Sequence, residues 1–295
     1  MTGVVNVFKL PGQTSRDVVD AVRRSTGIRK AGHSGTLDPA ASGVLPVLLD
    51  RATRLQEYLA GLDKTYVAEM TFGLATESGD AYGEIIASTP GAQVSEEGLR
   101  AVIGGFLGEI QQVPPMTSAL KRDGIPLYRL ARSGVEVERD PRTVRVQGLD
   151  VIEWRPGDPP RALISVTCSA GTYVRTLVAD LARAMGSSAF MSFLVRTSVG
   201  PFCARDALVL GSGEPIRVVP ASEALGFLPS RVLSAEGLLD VAHGRIPRVY
   251  PEPPDGSLRL LDAEGDLVAV AEVSAGDIRL SRVLIRPEEI EGDRG

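Results

Sequence analysis

Residues 32 to 46 read Gly-His-Ser-Gly-Thr-Leu-Asp-Pro-Ala-Ala-Ser-Gly-Val-Leu-Pro, and they restrict the backbone heavily over a short length. Gly32, Gly35 and Gly43 allow conformations in which a side chain would clash. Pro39 fixes its own φ and drives Asp38 out of the helical region. Asp38 therefore sits at a stiff turn between flexible ones, and it is the only carboxylate between Asp20 and Asp50. His33 precedes it on the same loop. A short loop that presents one acid and one imidazole has the character of a site. The same Asp-Pro pair also opens ordinary turns, so the loop alone leaves Asp38 as either an Asx-turn residue or a catalytic acid. It is not a P-loop, because no Gly-Lys-Ser/Thr closes it.

A chain of 295 residues buries a sizeable core, and one large domain with one small one is the natural count. The start lacks a basic segment followed by an apolar run, so it does not read as a signal peptide. The longest apolar stretch, residues 43 to 49, is far too short to span a membrane. Cys168 and Cys203 have no metal-ligand spacing. These features predict a reduced, cytoplasmic protein. The net charge of -5 argues weakly against a nucleic-acid partner, but its distribution matters more. Residues 121 to 145 hold Lys121, Arg122, Arg129, Arg132, Arg139, Arg142 and Arg145, whereas acid gathers in the tail at Glu288, Glu289, Glu291 and Asp293.

Along the chain, residues 4 to 9 read as a strand, and Ser15 is placed to cap a helix carrying Val18, Val19 and Val22. Residues 51 to 60 read as helical. Thr65 to Phe72 alternates cleanly and puts Tyr66, Ala68, Met70 and Phe72 on one apolar face. A buried phenol there is either an ordinary core tyrosine or one aimed into a pocket. Residues 73 to 84 read as a polar loop with Glu77, Asp80 and Glu84. Ser95 is expected to cap a second helix. The basic segment, about 120 to 147, reads as a surface insertion with one short helix from Leu127 to Arg132. Residues 161 to 170 form another strand, followed by a helix with Val174, Leu177, Val178, Leu181 and Met185 as its stripe. Arg175 lies in that helix's first turn, where a positive charge opposes the macrodipole. It calls for a compensating anion, a carboxylate or a phosphate. Beyond residue 228 the segments shorten, and strands are expected at Leu258 to Leu261, Leu267 to Val273 and Arg282 to Ile285.

Four pieces now stand in order: Lys9-Leu-Pro-Gly-Gln-Thr-Ser15, Gly32-His-Ser-Gly-Thr-Leu-Asp-Pro39 with Gly43-Val-Leu, Lys64-Thr-Tyr66, and Gly171-Thr-Tyr-Val-Arg175-Thr. With Leu194-Val-Arg196-Thr-Ser-Val-Gly-Pro-Phe202 and the basic insertion, the set resembles the TruB family of tRNA pseudouridine synthases. One departure is that Leu10 separates Lys9 from Pro11, where the family usually reads Lys-Pro. The resemblance implies an α+β fold. It would be a mixed, mainly antiparallel sheet flanked by helices over residues 1–228, with a small PUA-like β-barrel over 229–295. It implies Asp38 as the catalytic aspartate, Tyr66 as the active-site tyrosine and Arg175 as the aspartate's partner. His33, Lys9, Tyr173, Asp80, Leu194 and Lys64 match positions near the substrate, with Lys121, Arg129 and Arg132 on the RNA-gripping insertion. The implied activity is isomerisation of uridine to pseudouridine at position 55 in the tRNA T-loop, by base flipping. No cofactor is implied. The implied partners are the T-arm and acceptor stem of tRNA, with no membrane, and the enzyme would be a monomer. Two other classes stand beside this one. A tRNA-folding chaperone would keep the fold without needing Asp38, Tyr66 and Arg175 together. A metal nuclease built on Asp38, Asp80 and Glu84 lacks a metal-site spacing.

Overall fold

The computed structural model describes residues 2–89, 94–118, 120–122, 124–135, 137–249 and 251–291. In chain order its elements are β1 (Gly3–Lys9), α1 (Ser15–Thr26), β2 (Ala31–His33), β3 (Ser42–Leu49), a 3₁₀ turn (Asp50–Leu55) leading into α2 (Gln56–Ala60), and β4 (Lys64–Phe72). Then come β5 (Leu74–Thr76), β6 (Ile85–Ser88), α3 (Glu96–Ile103), β7 (Gly108–Gln112), β8 (Lys121–Arg122), β9 (Ile125–Pro126), α4 (Leu127–Arg132) and β10 (Arg142–Arg155). These are followed by β11 (Arg161–Cys168), α5 (Val174–Ala184), β12 (Ala189–Val199), β13 (Phe202–Cys203), β14 (Val219–Pro220) and α6 (Ala221–Ala224). The chain ends with β15 (Ser230–Val232), α7 (Ala235–Ala242), β16 (Gly256–Leu261), β17 (Leu267–Ser274), β18 (Asp277–Val283) and α8 (Pro287–Glu291).

The main sheet runs β14-β1-β3-β12-β4-β11-β10-β7, with β2 beside β3 and β13 beside β12. Its strands pair antiparallel except at one step, where β12 meets β3 in parallel through Val195 with Ser42 and Arg196 with Gly43. That step divides the core. On one side, Ala68, Met70, Phe72, Ile164 and Val166 pack under Leu177 and Leu181 of α5. On the other, Leu45, Val47 and Leu49 pack under Val18, Val19 and Val22 of α1. The mixed, mainly antiparallel sheet with flanking helices is the expected α+β architecture.

Several local expectations are corrected. Residues 42 to 46 are not loop but the start of the strand Ser42–Leu49; every residue of it is buried, as a continuous apolar run covered on both faces requires. Thr14, not Ser15, is the N-cap of α1; its extended backbone lets its side chain accept the Asp17 N–H, and Asp17 returns the bond. Residues 74 to 88 include the short hairpin β5–β6 rather than only a loop. Arg142 and Arg145 belong to β10, a long strand paired with β7, so the insertion ends before residue 142. The last C-terminal strand is Asp277–Val283, set by a tight turn in which Ala275 and Gly276 both take positive φ.

The C-terminal residues form an open sheet in the order β15-β16-β17-β18, joined by α7. Among the described residues no pairing of β15 with β18 closes it into a barrel. Leu267, Val270 and Leu284 from this part pack with Val44, Leu48, Leu55 and Leu59 from the main sheet and its helix. Polar contacts bind the same seam: Arg51 donates to the Leu284 carbonyl at 2.7 Å and pairs with Glu289 at 2.5 Å.

Candidate active site

The Asp38 loop is fastened from three sides. Ser15 on α1 both accepts from the Leu37 N–H at 2.9 Å and donates to the Leu37 carbonyl at 3.1 Å. Lys9, fully buried at the end of β1, donates from Nζ to the carbonyls of Gln13 at 2.7 Å, Leu10 at 3.0 Å and Pro39 at 3.2 Å. Burial pushes its ammonium down to about 8, against a smaller upward pull from Asp38. Lys9 thus lies behind the loop as a strut and does not line the cavity. The residue between Lys9 and Pro11, Leu10, supplies one of the carbonyls that hold it. On the third side Arg196, 1 % exposed, donates from Nε to Val44 O at 2.8 Å and from its terminal nitrogens to Gly35 O at 3.1 Å and Thr36 O at 3.4 Å.

Of the loop's three glycines, only Gly43 is obligatory. Its φ is +116°, and a Cβ there would stand 2.2 Å from the Arg196 carbonyl oxygen. This close approach is the parallel β3–β12 step itself. A Cβ on Gly32 would meet nothing within 4 Å, and one on Gly35 would make only ordinary contact.

Arg175 joins three segments at the mouth of the site. The N-cap of α5 is Tyr173, which has no side-chain capping bond; instead the Tyr173 N–H donates to Gln112 Oε1 at 3.0 Å, and Gln112 donates back to its carbonyl. This fixes the first turn and aims Arg175 inward, where it is 6 % exposed. Its guanidinium lies 3.1 Å from Asp38 Oδ2 and 3.6 Å from Asp80 Oδ2. It also donates to Ser78 O and Thr117 O, each at 2.9 Å, and to the Thr117 hydroxyl. The anion that a first-turn arginine calls for is therefore a pair of carboxylates. Asp80 is itself held by the Ser78 hydroxyl at 2.6 Å and the Tyr82 N–H at 3.0 Å.

Behind the pair lies a cavity of about 270 Å³ walled by Asp38, Lys64, Tyr66, Tyr173, Leu194 and Arg196, among others. Tyr66 sits on the apolar face of β4, opposite Val166 and Arg196 in register. Burial raises its phenol above the ordinary tyrosine range, and the charge of Arg196 pulls the other way. Burial lowers Arg196 as well. Lys64 donates to Ala60 O at 2.9 Å and Leu62 O at 2.6 Å, and burial, then the charge of Arg196, holds it down at about 8. Two hydroxyls in the wall, Ser34 and Ser118, are buried with no hydrogen-bond partner.

His33 ends β2 next to this wall but does not line it; its Nδ1 is buried without a partner, and burial lowers its pKa. Arg129 is exposed on α4. The side chains of Lys121 and Arg132 lie outside the described part of the structure. Among the described residues no cluster of three or more His, Cys, Asp or Glu could hold a metal ion. Arg175 occupies the place between Asp38 and Asp80 that a cation would need.

Sequence reasoning about single residues missed Arg196, Gln112 and Thr117. For Arg196 a signal was present: it follows Leu194 at strand spacing, so it faces the same buried side. Gln112 and Thr117 carry no such signal, since each matters only through a partner distant in sequence.

The family model described as "TruB family pseudouridylate synthase (N terminal domain)" matches residues 23–174, more than half of the chain. A mixed sheet parted at one parallel step, with an Asp–Arg pair and a buried tyrosine over that step, is in this light the framework of a pseudouridine synthase, an isomerase. Over 98% of its length the chain also superposes on 86% of a chain in the solved "Crystal Structure of a Cbf5-Nop10-Gar1 Complex", at 27% identity and a TM-score of 0.73. "tRNA pseudouridine synthase B" of Symbiobacterium thermophilum is 49% identical over 84% of this chain and 83% of its own. The protein of the same name from Pelotomaculum thermopropionicum is 42% identical over 97% of this chain and 96% of its own. The chain belongs to the TruB family of pseudouridylate synthases.

Proposed function

We propose that this enzyme converts the uridine at position 55 in the T-loop of tRNA to pseudouridine. The observation that carries the reading is the Asp38–Arg175–Asp80 cluster, whose Asp38 and Arg175 line a cavity with Tyr66 in its wall. The uridine is flipped out of the T-loop, at roughly a few kcal/mol of unstacking, to reach it. Asp38 acts on the sugar, as a nucleophile at C1′ or as a base, while the bond from C1′ to N1 breaks. The base turns and C5 bonds to C1′. Tyr66 stacks on the uracil and assists loss of the C5 proton. Leu194 and Tyr173 bound the pocket, Arg175 orients Asp38 with Asp80 as its second anchor, and His33 occupies the space left in the loop. Lys9 acts through the loop it supports.

The insertion, with Lys121, Arg129 and Arg132, grips T-arm phosphates. Residues 229–295 serve as a PUA-like RNA-binding domain on the acceptor stem, beside a catalytic domain of residues 1–228. The enzyme works as a monomer in the cytoplasm; among the described residues no helix is long and apolar enough to cross a membrane. A chaperone that only binds tRNA has no use for a carboxylate clamped at a cavity mouth.

The test is tritium release from tRNA labelled at uridine C5, with the parent and Asp38→Asn in parallel, because forming the carbon–carbon bond expels that hydrogen. Release by the parent alone, at one uridine per tRNA, is the expected result. Tight tRNA binding without release would replace this reading with the chaperone.

A further inference from the structure

We propose that Lys64, backed by Arg196, stabilises the negative charge of the uracil at the moment it separates from the sugar. This rests on the pseudouridine-forming reading above and adds a charge-stabilising role on the side of the leaving base. Lys64 and Arg196 both line the cavity, at 6 % and 1 % exposure. Among the described residues neither is paired with a carboxylate. Lys64 is held by the carbonyls of Ala60 and Leu62, and Arg196 by three carbonyls. The acid of the loop, Asp38, is instead paired with Arg175. Buried cations held only by neutral groups are expensive to keep. Such an imbalance is retained where an anion arrives, and in this cavity the anion is made by the reaction.

The balance of the step is simple. When C1′–N1 breaks, the electron pair stays on N1, and its charge spreads over the ring to O2 and O4. Asp38 meets the electron demand of the sugar, by bonding to C1′ or by removing a sugar proton. The uracil then turns and C5 bonds to C1′ as the Asp38–C1′ bond breaks or the sugar proton returns; the C5 proton leaves and N1 takes up a proton. Nothing is consumed. Cations fixed before the reaction need no reorganisation when the charge develops. They also keep the detached base from leaving while it turns. The Ser34 hydroxyl, buried and without a partner in the same wall, is available to donate to one of the charged oxygens.

The test compares T-loop RNA hairpins carrying uridine or 5-fluorouridine at the target, in single turnovers, by loss of the starting nucleoside after digestion. Fluorine withdraws electrons and makes the base a better leaving group, so it needs less help. Lys64→Met is expected to slow uridine by about 100-fold and 5-fluorouridine by at least about 10-fold less. Lys64→Arg, which keeps the charge, should recover most of the loss. The ratio of the two rates cancels any inactive fraction, so partial misfolding of a variant does not blur the result. Equal slowing of both substrates would overturn the proposal, as would a loss found only in RNA affinity. Failure of the parent enzyme to turn over uridine would strike the proposed function instead.

Discussion

Replacing Arg175 with methionine keeps most of the side-chain volume and removes the charge that three segments share. At 3.1 Å and 3.6 Å, each carboxylate contact is about 5 kcal/mol in Coulomb terms at an effective dielectric near 20, before desolvation is subtracted. Breaking a buried pair from one side typically costs about 3–5 kcal/mol. The Asp38 side chain is 42% exposed and can rehydrate, so the lower end applies, about 3 kcal/mol. For a chain of 295 residues that is a fall in Tm of about 5 °C. The catalytic loss should be larger, since Asp38 and Asp80 then repel with no positive charge between them and the acid leaves its place. A displacement of about 1 Å is enough to lower kcat by about 100-fold. Differential scanning fluorimetry and single-turnover tritium release read the two effects separately. Asp80→Asn alone should be milder on both, because Arg175 keeps Asp38 and its carbonyl partners. The reasoning fails if Arg175→Met melts with the parent protein. It also fails if the whole loss is in RNA affinity with the single-turnover rate intact, which would put Arg175 on a phosphate.

Gly43→Ala should destabilise by roughly 1–3 kcal/mol from backbone strain alone, with the 2.2 Å overlap on the Arg196 carbonyl adding to it, and urea unfolding should show this. A variant as stable as its parent would mean the β3–β12 step yields easily. The buried Lys9 ammonium is lowered to about 8 from 10.5, so between those pH values the unfolded chain binds the extra proton. Its contribution to stability is therefore present above pH 10.5 and is lost as pH falls through 8. The slope of unfolding free energy against pH between 8 and 10 should accordingly be smaller in Lys9→Met than in the parent, and equal slopes would refute it. Neutralising Arg129 should weaken RNA binding and reduce the salt slope by about 1; an unchanged slope removes it from the interface. Truncation after residue 228 should lower stability and activity together in melting and tritium assays, because it uncovers Val44 and Leu48 beside Gly43. A truncated chain with the parent's melting temperature would show that the two parts fold independently.

Much of the site was legible because a few residues break local rules in ways that require an answer. Arg175 at a helix start, against the dipole, demanded an anion and received Asp38 and Asp80. Tyr66 on the apolar side of an alternating strand pointed to a pocket, and it lines the cavity beside its strand neighbour Arg196. The alternation of β4 and β11 and the stripe of α5 gave half of the main core directly. What stayed hidden depended on partners far away in the chain. Residues 42 to 46 read as the end of a loop because a strand buried on both faces shows no alternation. Ser15 has the residue type of a helix cap, yet its hydroxyl goes to Leu37, and Thr14 takes the capping role.

The change of character near residue 228 is real in composition but does not separate the cores. Strand β3 carries the Asp38 loop, and its two faces are covered by different parts of the chain. Leu45, Val47 and Leu49 meet α1, while Val44 and Leu48 share a cluster with Leu267, Val270 and Leu284 of the C-terminal sheet. The backbone of β3 must also lie against Arg196 without a side chain at Gly43. Its position is thus set by three contacts at once, one of them supplied by the residues beyond 228. Burying Leu267, Val270 and Leu284 is worth roughly 1.5–3 kcal/mol each, and that energy presses on the strand that carries the acid. Arg51 and Arg54 reinforce the same seam by donating to the carbonyls of Leu284 and Val283. The residues beyond 228 are thus part of the wall that holds the strand of the Asp38 loop in place.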